Sequence, residues 1–206
     1  MYTLLKPIKV REELLAKGTR IFTGRDFMRV FQTSPFSTKY FLERQVNEGF
    51  LIRLKKGLYS LKTDLPTEGE IANVLYRPSY LSFEYALAYY HLIPEMPYTI
   101  TSATTKPTRL FTTANLAFSY RTIKKEAFTG YYKPDNQAFL VAEKEKALVD
   151  YLYFVSLRKS PSNERLIKNL RLKGYYKITG LKEKKIRFFA GLFKRRQLTD
   201  LINIFL

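Results

Sequence analysis

The chain has no cysteine and a single histidine, His91. Without thiols there is no disulfide framework, thiolate zinc site, iron–sulfur cluster or cysteine nucleophile. One imidazole excludes multi-histidine metal centres and Cys–His dyads. His91 follows a helical stretch and precedes Leu92 and Ile93, a setting in which we read it as structural. No apolar run approaches the roughly 20 residues that a membrane helix needs. The opening MYTLLKPIKVREELL carries no long apolar stretch and no small-residue cleavage site, so a cytoplasmic protein is expected. Also missing are a glycine-rich phosphate loop and a G-x-S-x-G nucleophile elbow. No metal, no cofactor, no catalytic residue and no enzyme activity are expected.

What is present is a basic, aromatic chain. Its 206 residues are 46% apolar, with 16 Phe and 16 Tyr, enough for a sizeable core. Lys and Arg number 36 against 18 Asp and Glu, for a net charge of +18. That charge is unevenly placed. Residues 1–64 hold 13 basic and 6 acidic side chains, residues 65–157 hold 9 of each, and residues 158–206 hold 14 and 3. A neutral middle between two basic ends suggests two surfaces that meet an anion, either nucleic acid or an anionic membrane leaflet.

The stretch Thr63-Asp64-Leu65-Pro66-Thr67 is the clearest boundary, and we place domains at 1–64 and 65–206. In the first, a short helix over 10–17 ends at Gly18. Thr23 and Asp26 form a capping box that opens a second helix bearing Phe27, Val30 and Phe31. Ser34-Pro35 then reads as an N-cap followed by proline at the first helical position. The third helix runs to about Glu48 and stops at Gly49. At 100° per residue, Thr38, Phe41, Leu42, Gln45 and Val46 share a core face. Ser37, Tyr40, Glu43, Arg44 and Asn47 face the other way, with Lys39 at the margin. Phe50–Leu54 and Leu58–Leu61 read as a hairpin around Lys55-Lys56-Gly57, with Gly57 supplying positive φ. Three helices and a lysine-tipped hairpin predict a winged helix-turn-helix.

The second domain begins with two helices, one opened by the Thr67/Glu70 capping box and one capped by Ser82. Residues 98–142 turn to β character, with strands expected at Tyr98–Thr104, Arg109–Thr113, Leu116–Thr122, Phe128–Tyr132 and Ala138–Ala142. From Glu143 the period is helical again, with Ala147, Leu148, Tyr151, Leu152 and Val155 on one face. The basic tail is expected to be helical over Asn163–Leu172, Leu181–Arg196 and Gln197–Phe205. The fold class is therefore α+β: a winged helix-turn-helix followed by a mixed α/β domain that ends in helices.

Three stretches together resemble the AbiEi antitoxin family, the transcriptional-regulator half of abortive-infection type IV toxin–antitoxin pairs. They are Gly18–Leu61 with FLIRLKKGLYSL, PSYLSFEYALAYYHLIPEMPYTITSATTKPTR ending at Arg109, and Ala142–Tyr151, AEKEKALVDY. Where that family often has Gly before L-I-P-E, this chain has His91. The resemblance implies a DNA-binding N-terminal domain that represses its own promoter. It also implies a C-terminal domain that counters a nucleotidyltransferase toxin, an opposition that needs no stable toxin complex.

On the residues themselves, Ser37, Lys39, Tyr40 and Arg44 supply hydrogen-bond donors on the third helix. Arg44 is suited to a guanine edge, and Ser37 and Lys39 to phosphates. Arg53, Lys55 and Lys56 on the hairpin suit backbone or minor groove, giving affinity rather than sequence reading. Double-stranded DNA at inverted repeats of the protein's own promoter is the expected partner. The alternative is an RNA-binding protein that uses the winged helix and basic tail to grip structured RNA. The A-form major groove, too deep and narrow to admit a helix, weighs for DNA. Glu143, Glu145 and Asp150 share one helix, but no second acidic segment completes a site, and Asp150, beside the apolar face, is expected to cap or to pair with Lys or Arg of the same domain. In Arg187–Arg195, Phe188, Phe189, Leu192 and Phe193 fall opposite Arg187, Lys194 and Arg195. That segment reads as a core helix with a basic outer face, a membrane-surface helix or a second nucleic-acid surface. Lys184, Lys185, Arg187, Lys194, Arg195 and Arg196 are the candidate antitoxin surface, and no membrane partner is expected.

Overall fold

A computed structural model of the chain describes residues 5–113, 115–157 and 180–206. It is mixed α/β, with two sheets and, among the described residues, eight α-helices. The chain divides into two compact units, Met1–Leu75 with Thr113–Asn115, and Tyr76–Thr112 with Leu116–Leu206. The helix opened by Thr67 and Glu70 thus groups with the first unit, whereas the sequence boundary at 64/65 assigns it to the second.

The first unit runs α1 (Pro7–Ala16), β1 (Ile21–Thr23), α2 (Gly24–Phe31), α3 (Pro35–Asn47), β2 (Leu51–Lys55), β3 (Leu58–Leu61) and α4 (Glu68–Leu75). Each helix start has a local cause. Pro7 opens α1 three residues before the expected start at residue 10. The Thr23 hydroxyl accepts from the Asp26 amide at 3.2 Å while the Asp26 carboxylate accepts from the Thr23 amide at 3.0 Å. Those Thr23 bonds hold the Asp26 carboxyl below its ordinary pKa. Ser34 caps α3 ahead of Pro35. Thr67 and Glu70 cap α4 reciprocally, with Glu70 Oε2 accepting from the Thr67 amide at 2.7 Å. Gly18 and Gly49, at φ +61 and +75, take the left-handed positions after α1 and α3.

One strand leaves no trace in the sequence pattern. Ile21–Thr23 is three residues long and pairs antiparallel with β3, Phe22 facing Tyr59, to make a three-stranded sheet ordered β1-β3-β2. So short a run has no legible alternation, and its last residue is already the cap of α2. Val10, Leu14, Phe22, Phe27, Leu42, Leu51, Tyr59 and Leu61 form the core beneath that sheet. Phe27 stacks on Phe41 at 5.3 Å and lies 4.5 Å from Phe31.

The second unit is built on a six-stranded mixed sheet. Its strands are β4 (Ser79–Leu81), β5 (Thr99–Thr104), β6 (Arg109–Thr113), β7 (Leu116–Thr122), β8 (Tyr131–Tyr132) and β9 (Val141–Ala142). Their order is β6-β7-β5-β4-β9-β8. β5 is parallel to β7 and antiparallel to β4, and β4 is parallel to β9. β4 is unexpected from the sequence, and it too has only three residues. The strands expected at Phe128–Tyr132 and Ala138–Ala142 shrink to two residues each, and Lys125–Ala127 is a 3-10 turn.

The helices of this unit are α5 (Phe83–Tyr89), α6 (Lys144–Ser156), α7 (Glu183–Leu192) and α8 (Arg196–Phe205). The helix expected at Asn163–Leu172 lies outside the described residues. Ser82 stands at the N-cap of α5 but does not cap it with its side chain. Thr101 of β5 does so instead, its Oγ1 accepting from the Tyr85 amide at 3.0 Å and donating to the Ser82 carbonyl at 2.7 Å. α6 packs against α5, α7 and α8. It is buried on almost every side: Ala147, Leu148, Val149, Leu152, Tyr153 and Val155 with Glu145, Lys146, Asp150 and Ser156, while Tyr151 is half-buried. In α7 the apolar sector is displaced from the expected one. Ile186, Phe189 and Ala190 face the core and Phe188 is exposed. Phe193, just past α7, is buried and stacks on Tyr153 at 4.2 Å, so this segment is a core helix. Among the described residues no helix is long and apolar enough to cross a membrane.

His91 occupies the left-handed position after α5, at φ +56. Its amide donates to the Ala88 carbonyl at 2.8 Å and the Leu92 amide to the Leu87 carbonyl at 2.8 Å, the paired closing bonds of a helix end that favours glycine. The side chain is exposed and little would be lost with it. His91→Gly should raise unfolding stability by about 1 kcal/mol, the left-handed penalty less the entropy of glycine. Urea denaturation checks this, and a lowered midpoint would mean that the imidazole itself stabilises the turn.

Candidate nucleic-acid interface

The exposed side of α3 carries the residues singled out from the sequence. Lys39, Tyr40, Glu43, Arg44 and Asn47 are all exposed, while Thr38, Leu42 and Gln45 are buried and Phe41 and Val46 half-buried. The helical wheel therefore divides core from surface correctly. Ser37 is less free than expected. It is half-buried, its amide donates to Ser34 Oγ at 3.2 Å, and its hydroxyl accepts from Ser34 at 2.9 Å. Arg44 lies in the last turn, where Nε donates to Glu48 Oε1 at 2.7 Å. Glu48 also accepts from Gln45 Nε2 at 2.7 Å, and these bonds hold its carboxyl below the ordinary range.

The same face holds a residue that the donor pattern does not single out. Phe36 is 81% exposed, the largest exposure of any phenylalanine in the described chain. The helical wheel leaves it outside the core sector, which is the signal that marks it, although an aromatic side chain is core by default. Tyr40, one turn on, is 62% exposed. No acidic residue stands in the first turn of α3, so no carboxylate there offsets the positive end of the helix dipole.

The hairpin treats its three cations differently. Arg53 is exposed on β2 and lies 5.7 Å from the ring of Tyr59, its partner across the ladder. Lys56 is exposed in the turn beside Gly57, whose φ of +78 the turn requires. Lys55 belongs to β2 rather than to the turn, is half-buried, and donates its ammonium to the Leu75 carbonyl at the end of α4. Of the expected backbone contacts, Arg53 and Lys56 are thus presented to solvent, and Lys55 serves the fold.

The tail cations divide the same way. Lys185 pairs with Glu143. Arg187 pairs with Glu183 at 2.7 Å and donates to Asn203 at 2.8 Å. Arg195 is half-buried and holds the Ser156 hydroxyl at 3.0 Å and the Ser156 carbonyl at 2.7 Å, at the end of α6. Lys184, Lys194 and Arg196 are exposed, and none has an ion-pair partner among the described residues.

Glu143, at the N-cap of α6, and Glu145 and Asp150 within it are each engaged by partners in the fold. Glu143 pairs with Lys185, and Glu145 accepts from the Lys182 amide at 3.0 Å, at the start of α7. Asp150 is fully buried and pairs with the equally buried Lys146 one turn earlier. Its second oxygen accepts from Tyr80 at 2.9 Å and from Ser82 at 2.7 Å. Burial pulls the Lys146 pKa down, against the pull of Asp150, and burial together with Asp150 pushes that of Tyr80 well up. Among the described residues no three His, Asp or Glu side chains are grouped to hold a metal ion.

No family model matches the chain, and no curated protein matches it. The motif stretches nevertheless have a common physical basis. Tyr80 and Ser82 of the second stretch meet Lys146 and Asp150 of the third in one buried polar cluster. Asp150→Asn should cost about 3–5 kcal/mol, because it strands a buried ammonium. Adding Lys146→Met removes the stranded charge while Asn still accepts from Tyr80 and Ser82. The double variant should recover more than half of the loss in urea unfolding, and strictly additive losses would refute the pairing argument.

Proposed function

We propose that this protein is a DNA-binding autorepressor with antitoxin activity, its first unit acting as a winged helix-turn-helix. The observation that carries the reading is the exposed face of α3, where Lys39, Tyr40, Arg44 and Asn47 project from a helix anchored through Leu42. A two-stranded hairpin with exposed Arg53 and Lys56 follows it directly in the chain. A helix needs such a polar, cationic face to enter a major groove, and a hairpin of this kind adds phosphate contacts. The residues 1–64 carry a net +7, which suits a polyanion.

The test is binding of the full-length protein to a duplex from its own promoter, with bulk tRNA as competitor. Arg44→Ala should weaken the specific duplex by about 1–3 kcal/mol and leave random DNA nearly unaffected. Arg53→Ala with Lys56→Ala should weaken all duplexes and flatten the salt dependence by roughly 0.9 units of slope for each phosphate no longer neutralised. Preference for tRNA over the promoter would transfer the reading to structured RNA.

The antitoxin half rests on the resemblance of the three motif stretches to AbiEi-family regulators and on the net +11 of residues 158–206. Its target is a co-encoded nucleotidyltransferase toxin, opposed through a shared anionic substrate rather than a stable complex. Of the six candidate cations, Lys184, Lys194 and Arg196 are exposed with no ion-pair partner among the described residues, and they are assigned that task. Full-length protein with all three changed to Gln should keep promoter binding and lose growth rescue from the toxin. Arg44→Ala should show the reverse. Loss of both functions together in either variant would remove the division of labour.

A further inference from the structure

We propose that Phe36 is a base-reading residue that recognises thymine through its 5-methyl group in the major groove. This rests on the DNA-binding reading above and names the chemistry by which part of the sequence is read.

The argument starts from the cost of leaving the ring where it is. Phenylalanine is among the residues most often buried, and an exposed phenyl keeps apolar surface in water. Phe36 is 81% exposed at the second position of α3, and it makes no ring contact with any described residue. Nothing in the first unit uses it, whose core is closed by Phe22, Phe27, Leu42 and Tyr59. Tyr40, four residues later and 62% exposed, extends the same stripe.

Charge decides what covers this stripe. Lys39 and Arg44 flank the rings on α3, with Glu43 the one carboxylate on that face beyond the Glu48 partner of Arg44, and Arg25 and Arg29 of α2 are exposed in the same unit, Arg29 paired with Asp26. The first turn of α3 has no acidic residue, and the Ser34 hydroxyl is engaged with Ser37 at its cap. An apolar ring set beside cations, at a helix N-terminus that Ser34 caps but no first-turn carboxylate offsets, suits a surface with a methyl group inside a polyanion. The thymine methyl in the major groove is the one such group that duplex DNA offers, and an apolar side chain is its natural contact. The two rings stand about 6 Å apart along the helix axis, at roughly 1.5 Å per residue. That is close to two base-pair steps of about 3.4 Å, so Tyr40 falls within reach of a neighbouring position.

Sites are first selected with full-length protein from a randomised duplex library, together with the promoter fragment. Each thymidine in the selected site is then replaced by deoxyuridine, which removes the methyl and keeps every hydrogen-bonding group. The wild-type protein should lose about fourfold in affinity for each contacted methyl removed, at one or two positions only. Phe36→Ala should lose a comparable factor on the thymidine duplex and show no further loss on the deoxyuridine duplex. Phe36→Leu should retain part of the discrimination. Circular dichroism of the variants checks that the fold is kept, as the exposure of the ring predicts. Selected duplexes insensitive to deoxyuridine, or equal losses by Phe36→Ala on both duplexes, would overturn the proposal while leaving DNA binding in place. Failure of the library to yield any duplex, with the wild type preferring tRNA, would instead sink the DNA-binding reading beneath it. Unchanged DNA affinity of Phe36→Ala would overturn the proposal and assign the stripe to a protein partner.

Discussion

A single carboxylate organises the second unit. Asp150 lies at the centre of a helix with almost no solvent-facing side, and an unpaired charge there would be intolerable. Its oxygens are satisfied by Lys146 from the preceding turn, by Tyr80 from β4 and by Ser82 at the start of α5. The three partners come from three elements, so strand, helix start and central helix are fixed to one point. The ammonium of Lys146 also lies 4.8 Å from the ring of Phe193, which brings in the segment after α7. Space around it is tight: a side chain at Gly130 would meet the Phe189 ring at 2.5 Å and the stem of Lys146 at 3.2 Å. Each residue of the Glu-Lys-Ala-Leu-x-Asp pattern thereby has a structural role. Glu145 holds the start of α7, Lys146 and Asp150 form the buried pair, and Ala147 and Leu148 fill the core.

The sequence is most informative where local chemistry dictates local geometry. Thr23 with Asp26, Ser34 with Pro35 and Thr67 with Glu70 mark helix starts to the residue, because each supplies bonds that the first turn cannot make for itself. The strands at Arg109–Thr113 and Leu116–Thr122 are likewise legible to the residue. The elements that escape it, β1 and β4, each hold three residues and exist through their ladder partners, which no local pattern can reveal. Ser82 has the right residue type for a cap, yet its hydroxyl turns to Asp150, a partner 68 positions away. The face of α7 is misjudged for a related reason. Phe188 and Phe189 are equally apolar in sequence, and only the position of α6 decides that Phe189 and Ile186 go inward.

Charge taken from composition and charge available at a surface are different quantities here. Lys55, Lys185, Arg187 and Arg195 all count toward the net +18, but each is engaged by a carbonyl, a carboxylate or a hydroxyl of the fold. Arg195 and Lys55 bond backbone carbonyls at or near helix C-termini, where the dipole favours a cation. Of the candidate cations singled out from the sequence, Lys39, Arg53 and Lys56 in the first unit and Lys184, Lys194 and Arg196 in the second remain outward with no ion-pair partner among the described residues.

Arg44 is both exposed and engaged by a carboxylate, and its pairing with Glu48 has a thermodynamic consequence for the proposed complex. A free surface cation neutralises a phosphate and expels a condensed counterion, so its contribution fades as salt rises. Arg44 arrives with its charge already balanced by a carboxylate. Its move to a base edge is an exchange of one anionic or polar partner for another, with little net ion release. In the proposed complex, raising salt would therefore erode the contacts of Arg53 and Lys56 before that of Arg44. In that complex the affinity would fall with salt faster than the base discrimination that Arg44 supplies, because the counterion-dependent share belongs to Arg53 and Lys56.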